Sequence, residues 1–82
     1  MNILKYVVGH NKIPILFSKD ILHSDVMKDA ISAGFLIVKF DSINSKYSVN
    51  CFGESTSLNI KSDDGDQYLI ENYLNNKFHS VI

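Results

Sequence analysis

Residues 53–57 are the part of this chain best suited to bind a small polar group. They supply Gly53, the carboxylate of Glu54 and the hydroxyls of Ser55, Thr56 and Ser57. A serine nucleophile on a strained strand-to-helix turn needs a second glycine two residues after the serine, and Ser57 stands at that position. The pattern therefore favours a tight turn or β-bulge whose hydroxyls bond the local main chain. A ligand site built from the same groups is the alternative.

The three histidines do not form a metal-binding pattern. His10, His23 and His79 are far apart in the chain, and no two of them lie one helical turn apart. His23 directly precedes Ser24, which is a good helix N-cap. A local hydrogen bond, or exposure at the helix entrance, is therefore expected for His23, and ligand binding beside the 53–57 turn is the alternative.

Neither the cysteine nor the acidic run near the C-terminus predicts a catalytic or metal site. Cys51 is the only cysteine, and it alternates with Tyr47 and Val49 as a small buried apolar residue would. The run 63–66 has two adjacent acids and lacks the spacing of a calcium-binding loop. Acids are also expected in a first helical turn. We predict no catalytic residue, no metal and no cofactor.

Charge and length exclude several classes of function. Eight lysines, nine acidic residues and no arginine give a net charge of −1, and no two lysines are adjacent. Binding to nucleic acid is therefore not expected. The chain shows no signal peptide and no apolar run near the roughly 20 residues that span a membrane. With a single cysteine, this predicts a cytoplasmic protein without a membrane segment.

Hydrophobic periodicity predicts a small α+β domain. Alternating or apolar runs predict four strands and a shorter fifth, over residues 3–8, 13–17, 35–40, 47–52 and 57–61. A first helix is predicted between the N-cap Ser24 and Gly34, and a second from Ser62 to about Asn75. The order ββαβββα indicates one domain over 1–82, with an apolar tail at 77–82. We expect an antiparallel sheet of 4–5 strands with both helices on one face, a two-layer sandwich.

Three short motifs resemble a pattern in small uncharacterised bacterial proteins of the kind found in mobile elements. They are H-x-D at 23–25, A-G-F at 33–35 and C-[FY]-G-x-S-x-S-L at 51–58. The likeness spans residues 17–74 and implies no known activity. Its use is to draw attention to His23, Gly53, Ser55 and Ser57.

These observations name no reaction and favour a small non-catalytic protein-interaction module. A sheet this small leaves an edge or a face open, which another protein or a second copy of the chain could cover. The partner is therefore expected to be a protein, with a homodimer as one form. The alternative is a small-ligand-binding protein or enzyme centred on the 53–57 turn.

Overall fold

The computed structural model describes residues 3–79, with side chains as far as residue 76. Within that range the chain forms six strands and two helices. In chain order they are β1 (Ile3–Val8), β2 (Pro14–Ser18), α1 (His23–Val26), β3 (Ser32–Asp41), β4 (Lys46–Phe52), β5 (Glu54–Ser55), β6 (Ile60–Lys61) and α2 (Asp66–His79).

The first four strands form one antiparallel sheet in the order β2-β1-β3-β4. The predicted α+β class and the four-stranded antiparallel sheet are confirmed. The predicted strands 3–8, 13–17 and 47–52 lie within one residue of β1, β2 and β4 at either end. The predicted strand 35–40 is shorter than β3.

The predicted fifth strand, 57–61, was wrong as a member of this sheet. Only its last two residues are a strand, β6, which pairs antiparallel with β5 in a separate ladder. Between them the chain turns at Asn59, whose φ of 56° is left-handed. Such a turn cannot continue an extended strand.

The predicted extent of the first helix, between Ser24 and Gly34, was also wrong. The observed helix, α1, ends at Val26. Ala33 and Gly34 instead belong to β3, where they lie opposite Val7 and Tyr6 of β1. Helix propensity is a weak preference, and pairing with the buried residues of β1 overrides it here. Gly34 is needed for a close approach, since a Cβ there would lie 2.7 Å from the carbonyl oxygen of Phe52.

The helices lie on opposite faces of the sheet, so the prediction of two helices on one face was wrong. Tyr6, Val7 and Val8 are consecutive and all buried. Because successive side chains of a strand point to opposite faces, both faces need cover. Tyr6 and Val8 pack with Ile70 and Leu74 of α2, whereas Val7 packs with Ala33 and a cover formed by α1 and the β5–β6 ladder. The cover residues are Val26, Met27, Ala30, Leu58 and Ile60.

The second predicted helix exists but begins and ends later than expected. α2 runs from Asp66 to His79, so residues 77–79 of the predicted tail are helical. The rest of that tail, 80–82, lies outside the described residues. Among the helices of the described chain, none has the length and apolar character needed to cross a membrane.

Gly34→Ala should destabilise the protein because the added methyl group meets main chain that cannot move independently. We expect a loss of about 1–3 kcal/mol, the usual range for overpacking. Urea unfolding followed by circular dichroism measures it. The matched control is Gly65→Ala, where the nearest atom to the new Cβ is the carboxylate of the exposed Asp63 at 3.3 Å. Equal losses in the two variants would contradict the packing role of Gly34.

Candidate functional site

Asp66, the first residue of α2, is a buried carboxylate that joins the helix to the sheet. It is 4% exposed. Its oxygens accept hydrogen bonds from the Tyr6 hydroxyl at 2.5 Å, the Ser32 hydroxyl at 2.9 Å and the Asp63 main-chain N–H at 2.9 Å. Negative charge is also favoured at a helix N-terminus. The carboxylate therefore links α2 to the ends of β1 and β3 and leaves neither of its oxygens unpaired.

Burial and the charge of Asp66 together keep the neighbouring Tyr6 hydroxyl and Cys51 thiol protonated. Burial raises the pKa of the Tyr6 hydroxyl far above its ordinary value, and the hydrogen bond to Asp66 and the charge of Asp66 raise it further. Burial, followed by the charge of Asp66, raises the pKa of the Cys51 thiol to about 11. Because the thiolate is the nucleophile, Cys51 in this state is unreactive at neutral pH.

A cavity of about 240 Å³ lies beside the Asp66 network. It is smaller than the roughly 300–1,000 Å³ of typical ligand pockets. Asp66 and Ser32 reach it, but both are engaged with each other. The lining residues are Val8, Lys12, Ile31, Ser32, Asp63, Gly65, Asp66 and Leu69.

The structure buries His23 between two aromatic rings. The rings of Phe17 and Phe35 stand edge-on to the imidazole, with centroids at 5.5 and 5.7 Å. The Nε2 atom of His23 is hydrogen-bonded to the carbonyl oxygen of Gly34 at 2.9 Å. The side chain thus fastens α1 to β3, and its surroundings leave it little access to a ligand.

The 53–57 turn approaches α1, but its hydroxyls bond the protein itself. Ser55 is 0% exposed, and its Oγ accepts the main-chain N–H of Leu58 at 3.1 Å. The Ser57 Oγ lies 3.3 Å from that of Ser55 and accepts the main-chain N–H of Ser24 at 3.2 Å. The serines therefore hold the ladder and the start of α1 together.

The other two candidate ligand-site residues, Gly53 and Glu54, lie at the start of this turn. Gly53 has a left-handed φ of 78°, and a Cβ there would lie 3.0 Å from the ring of Phe35. Glu54 is exposed in β5, with its Cα paired to that of Lys61. Within the described residues, no group of three His, Cys, Asp or Glu side chains is placed to hold a metal ion.

Side chains of α2 hydrogen-bond to the main chain of β4 at one edge of the sheet. The Tyr47 N–H donates to Asn75 Oδ1 at 2.8 Å, and Asn75 Nδ2 donates to the Tyr47 carbonyl at 3.2 Å. The Val49 N–H donates to Glu71 Oε2 at 2.7 Å. These groups would otherwise be available to another strand, so α2 blocks this edge. The i, i+4 spacing of Glu71 and Asn75 shows only that they share a helix face, and no sequence signal pointed to β4.

The opposite edge, β2, has no such cover. Among the side chains that the structure describes, those of residues 3–76, none is hydrogen-bonded to the main chain of Ile15, Leu16 or Phe17. Large apolar side chains are exposed on this strand and in the segments flanking it. They are Ile13, Ile15, Ile21 and Leu22. The β2 edge is therefore the candidate binding surface of the described fold.

Comparison with known proteins gives no relative from which a function could be transferred. No family model, no curated protein and no solved structure matches the chain. The functional argument therefore rests on the geometry of the chain.

Asp66→Ala should be strongly destabilising because it leaves the Tyr6 hydroxyl, the Ser32 hydroxyl and the Asp63 N–H without their acceptor. We expect a loss of about 2–4 kcal/mol in the free energy of unfolding, from the cost of buried unpaired donors. Urea unfolding measures it. Asp64→Ala is the matched control, since Asp64 is exposed two residues away and should change stability by less than about 0.5 kcal/mol. Similar losses in both variants would show that the Asp66 hydrogen bonds do not stabilise the fold.

Tyr6 should make the protein lose stability at alkaline pH. Its pKa is raised on folding, so the folded state holds the proton more tightly than the unfolded state. The stabilisation is complete below about pH 10, the pKa of an unfolded tyrosine, and is lost above it by up to about 1.4 kcal/mol per pH unit. Urea unfolding at a series of pH values from 8 to 11.5 should show this slope.

The matched comparison is Tyr6→Phe, with both proteins carrying Cys51→Ala to remove the titrating thiol. The variant should show a shallower loss of stability above about pH 10. Identical slopes with and without the Tyr6 hydroxyl would contradict the raised pKa.

Proposed function

We propose that the protein is a small non-catalytic interaction module that binds an extended protein segment along β2. The observation that carries this proposal is the difference between the two edges of the sheet. Glu71 and Asn75 hydrogen-bond to the main chain of β4, whereas none of the described side chains, those of residues 3–76, does so to the main chain of β2. An added strand would pair the main-chain donors and acceptors of this edge, which is a recurring mode of protein recognition.

The pairing of β2 with β1 indicates which groups the edge offers. Pro14 lies opposite Val8, whose carbonyl accepts the Ile31 N–H on the side of β3. The main chain of Pro14 therefore faces away from β1, although the residue itself is buried. In an antiparallel pair, alternate residues direct their main-chain groups to the same side. Leu16 and Ser18 therefore share the side of Pro14. The Leu16 N–H and carbonyl are the central donor and acceptor for an incoming strand.

Apolar side chains supply the second part of the binding surface. Ile15 lies in β2, and Ile13 directly precedes the strand. Both are exposed, as are Ile21 and Leu22 just after β2. A partner strand with apolar residues at alternate positions would bury them, whereas its main chain would bind regardless of sequence.

The proposal also includes a cytoplasmic location and a protein rather than nucleic acid as partner. Cys51 is an unpaired thiol, which is usual in a reducing compartment. The absence of arginine and the net charge of −1 give little attraction for phosphate groups. The alternative ligand site at the 53–57 turn has weaker support, because Ser55 and Ser57 are engaged in holding the turn.

Ile15→Lys should remove partner binding and leave the fold intact. A lysine on an edge strand is a common protection against strand addition, and Ile15 is already 39% exposed. The measurement is a quantitative pull-down by tagged protein from lysate of its own host, including any untagged copy of the chain. We expect at least about a tenfold loss of the captured protein, or about 1.4 kcal/mol.

Ile43→Lys is the matched control for this experiment. It makes the same chemical change at a residue that is 92% exposed in the turn between β3 and β4, away from β2. It should capture as much partner as the unmodified protein. Equal capture by the Ile15 and Ile43 variants would show that β2 is not the binding surface.

A further inference from the structure

We propose that the groove between α2 and the turn joining β3 to β4 binds a neutral saccharide through its hydroxyl groups. This groove has a volume of about 730 Å³, within the roughly 300–1,000 Å³ of typical ligand pockets. It lies beside β4, at the opposite edge of the sheet from β2. The inference is therefore independent of the proposed function.

Hydrogen bonds hold the two walls of the groove in place. On the wall formed by the turn, the Asp41 carboxylate accepts the Asn44 Nδ2–H at 2.7 Å. On the wall formed by α2, Asn75 exchanges two hydrogen bonds with the main chain of Tyr47, and Glu71 accepts another main-chain N–H of β4. Because these side chains are already ordered, a ligand that contacts them loses little of its binding free energy to ordering the protein.

Three further residues of the groove have side chains that are not engaged. They are Lys46, Ser48 and Asn72, and all three are exposed. None of their side chains is hydrogen-bonded or ion-paired to another residue of the described chain. They supply an ammonium group, a hydroxyl and a carboxamide, which together can donate and accept. A ligand could therefore bind them without breaking any hydrogen bond of the fold.

The charges of the groove favour a neutral ligand. Asp41 and Glu71 place one carboxylate on each wall, and Lys46 is the one basic residue among the described lining residues. The hydrogen bond from the Asn44 side chain lowers the pKa of Asp41, so this group is ionised at neutral pH. A phosphate or another anion would meet like charge on both walls, which opposes binding.

The polar groups favour a ligand with many hydroxyls. Tyr47 is the one aromatic residue among the described lining residues, and aliphatic side chains are absent from them. An apolar ligand would therefore gain little from this groove. A hydroxyl both donates and accepts, so neighbouring hydroxyls of a sugar can bond to carboxylate oxygens and to amide or ammonium N–H groups at the same time.

An aromatic pair supplies the second kind of contact that a sugar ring makes. The ring of Tyr47 packs against that of Phe40, with centroids 4.9 Å apart. Phe40 is 53% exposed. The C–H groups on one face of a sugar ring can pack on such a surface, while the hydroxyls reach the polar walls.

The test is a titration of isotope-labelled protein with sugars, followed by two-dimensional NMR of its amide groups. The probes are glucose, galactose, mannose and N-acetylglucosamine, together with any oligosaccharide that the protein retains on a glycan array. We expect at least one probe to cause saturable shifts of the Lys46, Ser48 and Asn72 amides. Shifts caused by a free sugar identify a metabolite as the ligand, whereas binding confined to oligosaccharides identifies a longer glycan.

Asn72→Ala should weaken the affinity for that probe about three- to tenfold, because it removes a hydrogen-bonding carboxamide. The matched control is Asn50→Ala, which makes the same change at an exposed residue of β4 outside the groove. The control should bind the probe as tightly as the unmodified protein. Circular dichroism checks that both variants are folded.

Three results would overturn the inference. The first is a failure of every free sugar and every glycan on the array to bind. The second is equal affinity of the Asn72→Ala and Asn50→Ala variants, which would place the sugar elsewhere. The third is saturable shifts of the groove amides with inorganic phosphate and none with sugars, which would mean that the groove takes an anion. The proposed function at β2 stands or falls separately, through the Ile15 variant.

Discussion

The buried carboxylate of Asp66 is the interaction on which the arrangement of this protein depends. It accepts hydrogen bonds from Tyr6 of β1 and Ser32 of β3, and so fixes the first turn of α2 to the two central strands. A buried carboxylate is costly unless every lone pair finds a donor, and here main-chain and hydroxyl donors surround it. Its position sets the direction of the helix across the sheet. With the start of α2 held there, Glu71 and Asn75 lie over the main chain of β4.

This placement gives the sheet two different edges. A four-stranded antiparallel sheet has two outer strands, and both expose donors and acceptors unless something covers them. α2 crosses towards β4 and hydrogen-bonds to its main chain, while no described side chain of residues 3–76 is hydrogen-bonded to the main chain of β2. The exposed isoleucines around β2 then lie beside the open hydrogen-bonding edge. The proposed binding surface is thus a consequence of where one helix is anchored, and no reactive group contributes to it.

The residues whose types could support binding or catalysis mainly hold loops together. His23 binds the carbonyl of Gly34, and Ser55 and Ser57 bind the main chain of Leu58 and Ser24. A domain of this size has many residues in turns, and their buried polar groups must still be paired. No buried side-chain nitrogen or oxygen among the described residues lacks a hydrogen-bond partner. Hydroxyl and imidazole groups that satisfy such needs are not available for a ligand.

The sequence by itself determined the α+β class and the strands with clear apolar alternation, because a strand with a period of two is a local property. It also favoured a structural turn at 53–57, whereas Cys51, which was expected to be buried, is half-buried in the structure. Only the tertiary structure decided that Ala33 and Gly34 join a strand, since their pairing with β1 and the contact with Phe52 depend on distant residues. The same holds for the Asp66 network, whose partners Tyr6 and Ser32 lie 60 and 34 residues away. The open edge at β2 follows from contacts of α2 with β4, and such long-range contacts leave no periodic signal in the sequence.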